Sequence, residues 1–365
     1  MKKSKRGRIG ILTAGGDCPG LNAVIRAVAK KLINDQHMEI IGIKDGYEGL
    51  INNRYRKLTY QDVSGIFTLG GTILGTSNIA NPYREAVHKK GKLVFEDVSD
   101  RTIKNIKKMR LDGLVCIGGD GTLSIADKLR ADGVSIVGVP KTIDNDIRGT
   151  ECSFGFDSAV HIAAEGIDRV HTTAQSHHRI MVIELMGRTA GWIALYAGIA
   201  GGGDIILIPE IPYDIQKIVK VVKERNKRGS RFSIIVISEG ARPKGGEVVV
   251  REIVKESTIQ ARLGGIGILL AKQLEKITNL ETRVVVMGHL LRGGSPTPSD
   301  RILATRLGIK TAELIEQGQF GYMVALKNGN LNKVSLKKVA QGPRLVPKNH
   351  ALVKAARAVG TCFGD

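Results

Sequence analysis

A chain of 365 residues exceeds one comfortable core and points to two domains. Its 42% hydrophobic and 25% charged residues are an ordinary globular balance, and no apolar run approaches a membrane span. The formal charge of +20 favours anionic partners, but Lys and Arg are spread along the chain and no RNA-binding aromatic signature accompanies them, so phosphorylated metabolites are expected and nucleic acid is not.

The basic stretch Met1 to Arg8 is followed by an apolar run of only Ile9 to Leu12, too short for a signal peptide, so a cytoplasmic protein is expected. Arg8 to Leu12 reads as a buried strand that enters Thr13-Ala14-Gly15-Gly16-Asp17-Cys18-Pro19-Gly20. Leu21, Val24, Ile25, Val28 and Leu32 then recur at helical spacing, with Pro19 where a helix would begin. A strand, glycine loop and helix in that order aim backbone N–H groups and a helix dipole at an anion. A second strand, Glu39 to Ile43, leads to Tyr47, and Leu69 to Asn78 is glycine-rich loop.

A helix around Arg101 to Met109 precedes the strand Gly113 to Ile117, which delivers a second Gly-Gly-Asp turn at Gly118-Gly119-Asp120-Gly121-Thr122. The strand Ser135 to Val139 delivers Pro140-Lys141-Thr142-Ile143-Asp144-Asn145-Asp146. Further apolar strands end in polar clusters. Ile180 to Leu185 enters Met186-Gly187-Arg188, Ile234 to Ile237 enters Ser238-Glu239-Gly240, and Val284 to Met287 enters Gly288-His289-Leu290-Leu291-Arg292. Alternating strands and helices of this kind predict an α/β fold with mostly parallel sheets, whose ligands lie outside the carboxyl ends of the strands. The four cysteines, Cys18, Cys116, Cys152 and Cys362, have no C-x-x-C spacing, so neither a disulfide framework nor a zinc site is indicated. The tail after Gly318 is basic and breaks at Gly342-Pro343.

These residue types suit phosphoryl transfer, which needs a metal on the phosphates, positive charge for the transition state and a base for the attacking hydroxyl. Asp120 suits magnesium, Gly119 and Gly121 keep side chains out of the phosphate's path, and Asp144 is the candidate base with Asp146 in support. Arg188 would neutralise the moving phosphoryl group. Each cluster alone has an ordinary structural explanation, because Asp-Asn-Asp is good turn chemistry and a lone histidine is often a core residue. Together, so many polar strand ends favour a site.

The motifs as a set resemble the 6-phosphofructokinase family from Gly10 to about Gly318. The match runs through Gly-Gly-Asp at 15 to 17, Gly-Gly-Asp-Gly-Thr at 118 to 122, Thr-Ile-Asp-Asn-Asp at 142 to 146, Met-Gly-Arg at 186 to 188 and Gly-His-Leu-Leu-Arg-Gly-Gly-Ser-Pro at 288 to 296. The resemblance implies two Rossmann-like αβα domains with the active site in the cleft between them. The larger, donor-binding domain would take residues 1–155 and about 291–341, and the smaller, sugar-phosphate domain about 156–290 and 342–365. It implies Asp144 as the base for the sugar's 1-hydroxyl, with Thr142 and Asp146 holding the reacting centre and Asp146 or Asp120 the magnesium. Gly16 and Arg188 would stabilise the phosphoryl group in flight. Met186, Gly187, Glu239, His289 and Arg292 would bind fructose 6-phosphate, joined across a subunit boundary by Arg179 and Arg283. That boundary implies a homo-oligomer, a tetramer ahead of a dimer. Tyr47, Gly119, Gly121 and Thr122 match donor-side positions.

Members of this family use ATP or pyrophosphate. Gly121 leaves room for an α-phosphate where pyrophosphate users typically carry Asp, whereas Lys141 is characteristic of pyrophosphate users. The steric argument is given the greater weight, so ATP with Mg²⁺ is expected and pyrophosphate is the alternative. Asn78 replaces an arginine that bridges the two substrates in related bacterial enzymes, with Arg84 a partial substitute. His171 replaces an effector-site arginine, while Arg26 and Lys30 keep its other cations, so weak classical regulation by ADP and phosphoenolpyruvate is expected.

Overall fold

A computed structural model describes residues 7–89, 91–256 and 261–365; most of the basic N-terminal stretch lies outside them. In chain order the elements are β1 (Arg8–Thr13), α1 (Leu21–Gln36), β2 (Glu39–Ile43), α2 (Tyr47–Ile51), β3 (Tyr55–Leu58), β4 (Glu85–Lys89), β5 (Lys92–Glu96), α3 (Ser99–Lys108), β6 (Gly113–Gly118), α4 (Asp120–Ala131) and β7 (Ile136–Pro140). There follow α5 (Phe156–His177), β8 (Ile180–Leu185), α6 (Trp192–Ala200), β9 (Ile205–Leu207), α7 (Ile215–Lys227), β10 (Ser233–Ser238), β11 (Val250–Ile253), β12 (Ala261–Leu263), α8 (Ile266–Thr278) and β13 (Thr282–Val286). A 3-10 turn at Gly288–Arg292 leads to α9 (Pro298–Glu316), β14 (Tyr322–Lys327), β15 (Asn330–Ser335), α10 (Leu336–Val339) and α11 (Ala351–Ala358).

A seven-stranded sheet has the order β15-β14-β7-β6-β1-β2-β3 and a four-stranded sheet the order β13-β8-β10-β9. All pairs are parallel except the outermost pairs of the larger sheet, β14 with β15 and β2 with β3. The expected α/β architecture is present, for the reason read from sequence: β6, β7, β8 and β10 are buried at every residue, because helices cover both faces. β14 and β15 carry the chain back to the larger sheet after α9. The C-terminus returns to the smaller one, where Ile206 N–H donates to Cys362 O at 2.9 Å. One apolar core runs under both sheets, from Ile9 and Val139 to Ile183 and Val236.

α9 crosses α1 at Gly308, where a Cβ would lie 2.6 Å from that of Ala27, so only glycine permits this approach. Two local expectations shift. α1 begins at Leu21, after Pro19, with Gly20 as its N-cap at φ +101°; the ring of Phe154 fills the space beside Gly20. β13 runs from Thr282 to Val286 and stops short of Met287, which already belongs to the following turn. No helix among the described residues is long and apolar enough to cross a membrane.

Candidate active site

β1 and β6 are paired in parallel, Thr13 opposite Ile117, so their two Gly-Gly-Asp turns lie side by side at the carboxyl edge of the sheet. At the first turn, Gly15 adopts φ +80° and donates its N–H to Ser77 O at 3.0 Å. Thr76 Oγ1 donates back to Gly15 O at 2.6 Å, which laces the glycine-rich 69–78 loop onto this turn. From the end of β7, Lys141 donates its Nζ to Gly16 O, and its side chain is buried. Arg292 Nη1 donates to Asp17 O at 3.0 Å and roofs Gly16, where a Cβ would come within 2.4 Å of it. Burial pulls the Lys141 ammonium below its ordinary pKa, with the nearby charge of Arg292 acting in the same direction.

At the second turn, Gly119 is extended and Asp120 is the first residue of α4, where the helix dipole favours a carboxylate. Asp120 Oδ1 accepts the Gly121 N–H at 2.7 Å. A Cβ on Gly121 would meet nothing within 4 Å, so this face is open. Tyr47 was expected beside the nucleotide. It lies beneath the turn instead, 2% exposed among Leu12, Ala14 and Cys116, and its hydroxyl donates to Thr122 O at 2.7 Å.

The third turn follows β7. Asn145 sits at φ +50°, accepting the Ser153 N–H at 3.1 Å, while Ser153 Oγ donates to Thr142 O at 2.9 Å. Asp144 N–H donates to Thr142 Oγ1 at 3.1 Å. Thus Asn145 does the turn's conformational work and leaves the carboxylates on either side available. Burial raises the pKa of Asp144, partly offset by Arg292 and Lys141 and reinforced by Asp120. Burial pushes Asp146 up to about 8, with the charges of Asp144 and Asp120 adding. Asp144 and Asp120 thus both act on Asp146, although among the described residues no three His, Cys, Asp or Glu side chains are gathered closely enough to hold a metal ion by themselves.

The smaller sheet contributes from β8 and β10. Gly187, at φ +140°, approaches Ser238 so closely that a Cβ would lie 2.4 Å from its hydroxyl oxygen. Ser238 Oγ donates to Gly187 O. Arg188 makes no hydrogen bond or ion pair among the described residues, leaving its guanidinium available. Burial pushes Glu239 up to about 7, with Asp144 adding, so these two lie within electrostatic reach across the sheets. Met186 is half-buried against the core, and His289 is exposed.

Arg179 and Arg283 are not brought to this cluster. Arg179 precedes β8 and its Nε pairs with Glu281 at 2.5 Å; Arg283, early in β13, pairs with the same Glu281. The length of β8, at ~3.3 Å per residue, separates Arg179 from the Met186–Arg188 end. Within one chain they face elsewhere.

Sequence reasoning missed several structural supports. Glu184, buried within β8, accepts the N–H groups of Gly265 at 2.9 Å and Gly267 at 2.8 Å and so caps α8. Asp300 Oδ2 accepts Ser158 N–H at 2.8 Å and Ser158 Oγ at 2.7 Å, joining the starts of α5 and α9. Arg344, in the C-terminal tail, reaches the Asn145–Asp146 turn. A Thr-x-x-Asp capping pattern at Thr297 and Asp300 was the one readable signal.

The phosphofructokinase family model matches residues 8–315. An ATP-dependent 6-phosphofructokinase 2 of Clostridium perfringens is 53% identical over 360 residues, 98% of this chain and of that protein. A pyrophosphate–fructose 6-phosphate 1-phosphotransferase of Amycolatopsis methanolica is 46% identical over 340 residues, 93% of this chain and 96% of that protein. Among solved structures, phosphofructokinase from Saccharomyces cerevisiae superposes with TM-score 0.76 at 28% identity, covering 92% of this chain and 45% of that one.

Proposed function

The chain belongs to the phosphofructokinase family, and on that premise we propose that it moves the γ-phosphoryl group of ATP to the 1-hydroxyl of fructose 6-phosphate, giving fructose 1,6-bisphosphate. The observation that carries this reading is the meeting of Asp144 with the two glycine turns at one edge of the large sheet, opposite Arg188 and Glu239 of the smaller one.

Asp144 accepts the proton of the 1-hydroxyl as the oxygen attacks. Its raised pKa brings it nearer to neutral pH, which improves it as a base. Asp146 and Thr142 hold the reacting centre. The Gly16 backbone and Arg188 face the phosphoryl group in transit, and Lys141 supplies a fixed cation on the donor side. Asp120 and Asp146 are the residues that would hold Mg²⁺, which when bound neutralises phosphate charge. Glu239, Met186, Gly187, His289 and Arg292 form the sugar-phosphate side. Arg292, whose Nη1 donates to Asp17 O and whose guanidinium stands beside Gly16, supplies positive charge to a phosphate at this turn.

Arg179 and Arg283, turned from their own cleft, would serve the site of a neighbouring subunit in a homo-oligomer; the preference for a tetramer over a dimer rests on the family resemblance alone. Arg26 lies over the ring of Phe67, Lys30 over that of Tyr60, and His171 meets Phe232 edge to face at 5.1 Å. With no arginine at 171, response to ADP is weak; a sigmoidal fructose 6-phosphate curve relaxed by ADP would refute this.

A second reading, pyrophosphate as donor, is favoured by Lys141 beside Gly16. The open face at Gly121 favours ATP. Purified protein with fructose 6-phosphate and Mg²⁺, given either donor in parallel, decides: turnover confined to pyrophosphate overturns the ATP reading, and turnover with neither overturns both.

A further inference from the structure

The turn that carries Asp144 is held from a part of the chain with no motif in it. Arg344 follows the Gly342-Pro343 break, far from the turn in sequence. Its backbone N–H donates to Asp146 O at 2.6 Å, and its Nη2 donates to Asn145 O at 2.7 Å and to Glu151 O at 3.0 Å. The same guanidinium lies over the indole of Trp192, 4.4 Å from the ring centroid, and Trp192 Nε1 donates to Arg344 O at 2.9 Å. Trp192 is the first residue of α6, a short step beyond Arg188. One residue therefore grips two successive carbonyls of the base turn and is itself gripped by the helix that follows the transition-state arginine.

We propose that Arg344, braced by Trp192, is a positioning residue that fixes the orientation of the Asp144–Asp146 turn. The inference rests on the reading of Asp144 as the base. The physical reason is the left-handed conformation of Asn145. A non-glycine residue there is uncommon and needs its surroundings to hold it. Ser153 and Glu151 hold its side chain, but among the described residues only Arg344 is bonded to the carbonyls of both Asn145 and Asp146. Rotation of that peptide would carry both flanking carboxylates with it. The tail is anchored separately, since Glu210 Oε1 accepts the Val346 N–H at 2.8 Å and the Gly191 N–H at 3.1 Å. Anchorage and positioning can thus be tested apart.

The experiment measures kcat, both KM values and thermal midpoint for Arg344→Ala, Arg344→Lys, Trp192→Phe and Val346→Ala, with Asp144→Ala in parallel. Misplacing a reacting group by about 1 Å costs on the order of 100-fold. Arg344→Ala is accordingly expected to lose ~10- to 100-fold in kcat while both KM values stay within about threefold. Arg344→Lys keeps the charge and the backbone donor but not the fork, and recovers part of the loss. Trp192→Phe removes the indole donor and falls between Arg344→Lys and the parent. Val346→Ala loosens a buried anchor, lowering the midpoint but keeping kcat. The inference is overturned if Arg344→Ala keeps kcat within twofold, if its loss lies in KM, or if Val346→Ala loses as much kcat for a similar fall in midpoint. If Asp144→Ala itself keeps its turnover, the base reading fails first and the inference fails with it.

Discussion

In the first Gly-Gly-Asp turn, Cys18, Pro19 and Gly20 separate Asp17 from the start of α1, whereas in the second Asp120 is itself the first residue of α4. The three-residue insertion changes what surrounds the glycines. The first turn is enclosed: Lys141 bonds to Gly16 O, Arg292 to Asp17 O, and Thr76 to Gly15 O. The second is bare, with its carboxylate at a helix N-terminus and Gly121 facing open space. The same strand, turn and helix thus give one turn enclosed by cationic side chains and, next to it, one left open with a carboxylate at a helix N-terminus. The difference lies in side chains donated by other segments, namely the residue after β7, the 69–78 loop and the 3-10 turn, and not in the glycines.

The comparison can be broken hardest at the residue that serves both turns. Asp144→Ala should lower kcat by ~10²- to 10⁴-fold with a modest change in KM, measured by steady-state assay; retained turnover would leave the two turns as binding loops without a base. The next effect belongs to the open turn. Gly121 has no positive φ and no neighbour to its Cβ, so Gly121→Asp should fold normally. It should nevertheless lose on the order of 100-fold in kcat/KM for ATP, because a carboxylate would stand where phosphate charge belongs. Unimpaired use of ATP with an unchanged thermal midpoint would remove Gly121 as donor selector. At the enclosed turn, Gly16→Ala puts a methyl against Arg292, the mobile end of a flexible side chain. A loss of about tenfold, shared between the two substrates, is expected on the scale of one displaced charge-assisted hydrogen bond. An equal insensitivity of both turns would erase the contrast.

How far this was legible in sequence differs between the strands and their supports. Ile180 to Leu185 and the strand ends around Asp120 and Asp144 were readable because a strand buried on both faces is a short apolar run, and because polar clusters recur at the ends of so many such runs. Glu184 was not readable. It stands inside that apolar run and caps α8 from 81 positions earlier, a partnership that only the parallel pairing of β8 with β13 creates. The return of β14 and β15 to the large sheet had no local signal either, since an antiparallel edge pair looks like any polar hairpin. Arg344 was one cation among many in a basic tail. Tyr47 is a different case: the family likeness pointed it towards the nucleotide, whereas its buried hydroxyl donates to Thr122 O beneath the second turn.

The protonation of Asp146 separates the turns in another way. Its pKa stands at about 8, raised by burial and by neighbouring carboxylates. A carboxyl raised above its unfolded value contributes stability below the unfolded pKa, and that contribution is lost as pH rises through the folded one. Asp146→Asn removes the cost of the charged form. The variant should therefore have a higher thermal midpoint than the parent above pH 8, the gap closing as pH falls toward 4. A gap independent of pH would mean that no carboxylate is strained there in the free protein. Saturating Mg²⁺ should shrink the gap at high pH if the cation sits at Asp146, because it relieves the same repulsion in the parent.

The smallest effect tests what lies behind the open turn. Tyr47→Phe removes only the hydroxyl that donates to Thr122 O and leaves the buried ring in place. The carbonyl it abandons belongs to the first turn of α4, where its helical partner lies further along the chain and can still bond to it. The cost should be about 1 kcal/mol of stability, read by denaturant unfolding. The KM for ATP should move by less than twofold, because the ring does not enter the cleft. A large rise in that KM with unchanged stability would place Tyr47 on the nucleotide and make the second turn less open than Gly121 indicates. A fall in stability alone keeps Tyr47 as a support of the turn and leaves the recognition of the donor to backbone and to the space above Gly121.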